Sequence, residues 1–144
     1  MCRGALRLVV PMLLLVASAS VAQTSSIRLA ISMPENGDVV PRSLDVTGTS
    51  AGLGTNTIAL FVYSPPAERW FFQGEAIVAA DGRWEVRQVV VSGGVGVPPG
   101  DDDFRVVATI MPELPPGLSG VLDDDFPLPG TLAQSTAVLV KRGE

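Results

Sequence analysis

Apolar and polar residues alternate with a period of two along much of the chain, and that alternation, punctuated by turn residues, predicts a series of short strands. Ile27, Leu29, Ile31 and Met33 alternate with Arg28, Ala30 and Ser32, the pattern of a half-buried strand. Pro34-Glu35-Asn36-Gly37 follows as a turn, since Asn-Gly accepts the positive φ of a tight reversal. Leu44 and Val46 alternate with Asp45 and Thr47, and Gly48 is expected to close this second strand. Gly52, Gly54 and Asn56 mark a connection. Residues 57–63 (TIALFVY) are apolar on both faces, which predicts a central strand covered on both sides or lying at an interface.

Ser64-Pro65-Pro66-Ala67-Glu68 ends that strand, because proline has no N–H to give the ladder. Two short extended pieces, 69–73 (RWFFQ) and 75–79, are expected on either side of Gly74. Asp81-Gly82 is the strongest hairpin signal. It leads into Trp84-Glu85-Val86-Arg87, whose alternation marks Trp84 as a core residue. Residues 92–100 form a loop rich in glycine and proline, and Phe104, Val106, Ala108 and Ile110 make another strand. Residues 112–134 read as one long proline-rich connection, with a helical turn expected near 118–122, before a last strand at 136–141 (TAVLVK). No segment sustains a helical period. Seven or eight short strands predict an all-β chain folded as an immunoglobulin-like β-sandwich. The Cys…Trp…Cys signature of antibody domains is absent, and with Cys2 as its single cysteine the chain has no disulfide to rely on.

The N-terminal segment breaks the strand pattern. Arg3 and Arg7 precede an apolar stretch over 8–16, interrupted by Pro11, and then the small residues Ala17-Ser18-Ala19-Ser20-Val21-Ala22. That order is the order of a secretion signal, with Ser20-Val21-Ala22 as the cleavage site and Ala17-Ser18-Ala19 as the alternative. The stretch is about half of what a spanning helix needs. The expected organisation is a signal over 1–22 and one domain over 23–144, exported to the periplasm or the extracellular medium and not inserted in the membrane after cleavage. Cys2 lies before the apolar stretch, where lipid attachment is not expected.

Composition narrows the chemistry. The formal charge is −5, every acidic residue follows position 22, and Lys141 is the one lysine. This balance argues against nucleic acid and against anionic membrane surfaces. With no histidine and one cysteine, a Ser-His-Asp triad, a Cys-His pair and a His- or Cys-based zinc site are excluded. A carboxylate pair would suffice for glycoside hydrolysis, but nothing localises one. The expectation is a non-enzyme without a cofactor, calcium being the one ion its acidic runs suit.

Those runs are Asp101-Asp102-Asp103 and Asp123-Asp124-Asp125. Consecutive carboxylates on loops suit Ca²⁺, although the EF-hand spacing is missing. The alternative is two solvated loop ends, with Asp101 to Asp103 helping to start the Phe104 strand. Tyr63, Trp70, Phe71 and Phe72 concentrate the aromatic residues and are the candidate ligand-binding set. In an extended strand Trp70 and Phe72 point one way and Phe71 the other. One aromatic face is therefore either exposed or covered, by the 64–68 loop or a further edge strand. Exposed aromatics stack on sugar rings or anchor a protein partner. Gly93-Gly94-Val95-Gly96 lacks the Gly-Lys-Ser/Thr of a phosphate loop and reads as a plain connection.

Ile31-Ser32-Met33-Pro34-Glu35-Asn36-Gly37, Val39-Val40-Pro41 and Val46-Thr47-Gly48-Thr49 together resemble the opening of bacterial immunoglobulin-like modules. Ala80-Asp81-Gly82-Arg83-Trp84 is similar to their Asp-Gly-x-Trp hairpin, and Phe104-Arg105-Val106-Val107-Ala108 resembles their penultimate strand. The resemblance spans most of 26–142 and departs from the family at the long connection after Ile110. In such modules these positions are structural, so no catalytic residue is implied. What is implied is an exported interaction module for a protein partner at the cell envelope or outside the cell. A carbohydrate-binding module with an aromatic platform around Trp70, and a purely structural domain, are the alternatives.

Overall fold

A computed structural model of the chain describes residues 26–91 and 103–143. The strands are β1 (Arg28–Met33), β2 (Val39–Val40), β3 (Ser43–Ala51), β4 (Thr57–Ser64), β5 (Arg69–Glu75), β6 (Ile77–Val78), β7 (Arg83–Val90), β8 (Asp103–Met111), β9 (Gly120–Leu122), β10 (Ala133–Gln134) and β11 (Val138–Arg142). A single 3₁₀ turn spans Asp123–Asp125. The described chain is thus all-β. The expected loop over 92–100 lies outside the described residues.

Two sheets form, one ordered β1-β3-β7-β6 and the other β2-β11-β8-β4-β5-β9, with β10 also on β8. Period-2 alternation aims one face of each sheet at the other. Val46, Trp84, Val86 and Val89 come from the smaller sheet; Ile58, Leu60, Val62, Phe104, Val106, Ile110 and Val140 come from the larger. Full burial of a Val, Leu or Ile side chain stabilises by about 1.5–3 kcal/mol. This shared layer therefore holds the two sheets together without a disulfide. Trp84 lies in it as its alternation predicts, 2% exposed, and its indole N–H donates to the Thr49 carbonyl at 3.1 Å.

Two glycines read as strand ends turn out to lie inside strands. β3 continues past Gly48 to Ala51. A Cβ at Gly48 would overlap the Trp84 ring and the Ala30 carbonyl oxygen, so glycine is a packing requirement there. β5 likewise continues through Gly74, at φ 142°, where the register against β4 shifts between Leu60 and Phe61. The bulge bends the strand. The Ala76 N–H then donates to the Ile58 carbonyl at 2.8 Å, and β6 pairs with β7 in the other sheet. The expected 75–79 piece is therefore a sheet switch. At the same edge the Gln73 Oε1 accepts the Val90 N–H at 2.8 Å, tying β5 to β7.

The Asp81-Gly82 hairpin forms as expected, with Asp81 Oδ1 accepting the Arg83 N–H at 3.1 Å and Gly82 at φ 89°. The helical turn expected near 118–122 is displaced: β9 occupies Gly120–Leu122 on β5, and the turn falls at Asp123–Asp125. At the far edge of the larger sheet β2 runs parallel to β11.

Gly48→Ala is expected to cost about 1–3 kcal/mol, the usual penalty of overpacking. Urea unfolding followed by tryptophan fluorescence checks this, and Thr49→Ala, which keeps the backbone acceptor of Trp84, is expected to change little.

Candidate functional site

The larger sheet has two apolar faces because β4 and β8 do. Ile58, Leu60 and Val62 enter the core between the sheets, while Ala59 and Phe61 point the other way. Val107 and Met111 of β8 and Trp70 of β5 join them on that outer face, with Tyr63 and Phe72 packed at its margin. Such a face must be covered. Val121 does so, together with Leu114, Leu118, Phe126 and Leu128, all from the 112–134 connection.

The cover is built on ring contacts. Trp70 and Phe126 stack with centroids 4.0 Å apart and planes 14° apart. Phe61 meets Phe126 edge-on at 5.2 Å and Phe72 at 5.7 Å, and Tyr63 lies 5.2 Å from Trp70. The Arg105 guanidinium sits 4.8 Å from the Tyr63 ring centre and ends the row. Edge-on and offset rings suit the quadrupoles of the π systems, and the guanidinium suits the negative ring face. The Trp70 indole N–H donates to Asp123 Oδ1 at 2.8 Å, which pins the 3₁₀ turn over β5.

Of the two outcomes left open for the aromatic faces, exposed or covered, the face around Trp70 is covered. Trp70 is 4% exposed under Phe126, so its ring faces are not an open platform for a sugar. The 64–68 segment makes a turn in which the Glu68 N–H donates to the Ser64 and Pro65 carbonyls, and the edge strand β9 brings Val121 onto the aromatic face. The predicted split between the aromatics does hold. Trp70 and Phe72 share the covered face with Tyr63, while Phe71 lies on the opposite face, 36% exposed, with its ring beside Gly120.

Of the acidic runs, Asp101 and Asp102 lie outside the described residues. Asp103 opens β8 opposite Lys141 of β11, and Asp123, Asp124 and Asp125 form the exposed 3₁₀ turn. Among the described residues no three His, Cys, Asp or Glu side chains group closely enough to hold a metal ion. Asp123 instead serves as the acceptor for Trp70.

The smaller sheet turns its outer face to solvent among the described residues. Its strands present small side chains in the middle and taller ones at one side, leaving a groove of about 480 Å³. Ser32, Thr47 and Thr49 line it with hydroxyls, Ile77 with an apolar wall, and Arg83 and Glu85 with charge. Ile77 is 69% exposed. A second hollow of about 420 Å³ adjoins it over 50–54 and 78–82. The charges are internally matched: Arg83 pairs with Asp81 at 3.2 Å and Arg87 with Glu85 at 2.7 Å. The Glu85 hydrogen bond, and then its charge, raise the Arg87 pKa above the ordinary value. Exposed pairs of this kind set orientation more than stability.

Sequence reasoning missed this groove because small residues facing outward carry no signal of their own. It also missed Phe126, although Leu114, Leu118, Val121, Phe126 and Leu128 recur through a segment otherwise rich in Pro, Gly and Asp. No protein-family model matches the chain, and no curated protein matches it in sequence.

Asp123→Ala leaves the Trp70 N–H without its acceptor and is expected to cost about 1–3 kcal/mol. Asp123→Asn keeps an acceptor oxygen and is expected to retain most of that stability. Denaturant unfolding read by fluorescence separates the two, and equal losses in both variants would discount the hydrogen bond.

Proposed function

We propose that this chain is an exported, non-catalytic binding module of immunoglobulin-like type, and that it recognises a protein partner at the cell envelope or outside the cell through the outer face of the β1-β3-β7-β6 sheet. The observation that carries the reading is the contrast between the two outer faces. The larger sheet's is covered by its own connection, while the smaller sheet's is open and grooved among the described residues. Exposed Ile77 beside hydroxyls and matched charges gives that face an apolar anchor within a polar surround, the usual anatomy of a protein interface.

Strand order supports the immunoglobulin-like reading. In that fold strands A, B, E and D form one sheet and G, F and C the other, with C′ added in variable types. The orders β1-β3-β7-β6 and β11-β8-β4-β5 can be laid onto those two sheets, with β2 and β9 left at the edges, and this favours the reading. The chain departs from antibody domains in carrying the tryptophan buried between its sheets, Trp84, on β7 rather than on β4. Fold alone does not give function, so the weight rests on the surface. The basic, apolar and small-residue order of 1–22 supports export.

The test is affinity capture from envelope and culture-medium fractions, run with calcium and again with chelator. A protein partner is expected, and Thr47→Arg with Ile77→Asp is expected to weaken its binding about tenfold or more without altering the unfolding midpoint. Retained polysaccharide in place of protein would move the reading to a glycan module. A partner unaffected by the groove substitutions would remove this face from the proposal.

A further inference from the structure

The Asn36-Gly37 turn is chemically unusual in this chain, because asparagine followed by glycine is the sequence most prone to self-modification. Glycine has no Cβ to obstruct its own nitrogen, so that nitrogen can reach the preceding side-chain carbonyl. Here both reacting groups are held, and by one residue. The Gly37 N–H donates to the Leu139 carbonyl at 2.7 Å, and Asn36 Oδ1 accepts the Leu139 N–H at 3.0 Å. The hold continues along the strand: Lys141 N–H donates to the Asp38 carbonyl at 2.9 Å, and Gly143 N–H to the Val40 carbonyl at 2.8 Å. The segment from Asn36 to Val40 is therefore zipped onto the outer edge of β11, and Val40 anchors it in the core at 5% exposed.

The geometry points to Asn36 as a deamidation site whose reaction is gated by docking of the turn on β11. When the turn lifts, the Gly37 amide gives its proton to solvent base and its nitrogen attacks Asn36 Cγ. A C–N bond forms, the Cγ–Nδ2 bond breaks, and ammonia leaves. Water then opens the cyclic imide at either carbonyl, giving an aspartyl or an isoaspartyl linkage at position 36. The isoaspartyl product lengthens the backbone by one methylene inside the turn, so the turn no longer matches both Leu139 groups. Modification is thus an irreversible record of how often this edge of the sheet has opened. Asp81-Gly82 differs, because its groups are held within its own hairpin and by the adjacent strand: Gly82 N–H donates to Ala79, and Ser50 N–H to Gly82.

The test follows conversion at position 36 by peptide mass spectrometry during incubation of the purified chain at mildly alkaline pH. Asn56, which Thr57 follows, is the internal reference. Conversion is expected to be at least about tenfold slower in the folded chain than in urea, because the turn must open first. Val40→Ala, which loosens the segment but leaves Asn36, Gly37 and Leu139 in place, is expected to speed it in the folded state. Gly37→Ala is expected to suppress it in urea. Should Val40→Ala prevent folding, hydrogen exchange at the Gly37 and Leu139 amides of the unaltered chain gives the opening rate for comparison with conversion. Equal rates in folded and unfolded chains, or folded-state conversion unchanged by Val40→Ala, would overturn the proposal.

Discussion

β4 has almost no polar side to offer water, and the rest of the molecule is arranged around that fact. Ile58, Leu60 and Val62 require one cover, and Ala59 and Phe61 require another. The first is supplied by a second sheet and the second by a segment that forms little regular structure. Both arise from the hydrophobic effect, which specifies that apolar area leave water and is indifferent to the secondary structure that removes it. The connection between β8 and β11 is long because it has a surface to cover. Its prolines and glycines set the path, and its scattered leucines and Phe126 supply the contact.

The strands were legible wherever burial on one face imposed period 2, as in β1, β8 and Trp84-Glu85-Val86 of β7. Legibility failed where a residue's reason for being there is another residue far along the chain. Gly48 reads as punctuation until Trp84 is seen against it, and Gly74 until the change of sheet is seen after it. The cover over Trp70 was hidden in the same way, because a segment without period gives no sign of the face it meets. The opposition of Phe71 to Trp70 and Phe72 was readable, being local to one strand. The acidic runs were conspicuous by composition, yet their surroundings decide their roles, and Asp123 proves to be a hydrogen-bond acceptor for a buried indole.

The two outer faces then divide the labour of the fold. One is an interior surface in all but position, with rings, an indole hydrogen bond and a guanidinium closing its row. The other is hydroxylic and charged, with a groove walled on one side by exposed Ile77. Antiparallel sheets commonly present one solvated face, and the groove makes this one more than a plain polar wall. Because the covered face belongs to the sheet bearing the long connection, changes on the open face leave its packed rings untouched.

Gly48 and Trp84 lie on neighbouring strands in direct register, and neither position is free while the other is filled. Any methyl at 48 needs a smaller ring at 84, and a smaller ring at 84 leaves a void that glycine cannot fill. The pair therefore behaves as one heritable character. In descendants of this sequence the two sites should persist together or be replaced together, and a lineage that changes only one passes through a strained or hollow intermediate.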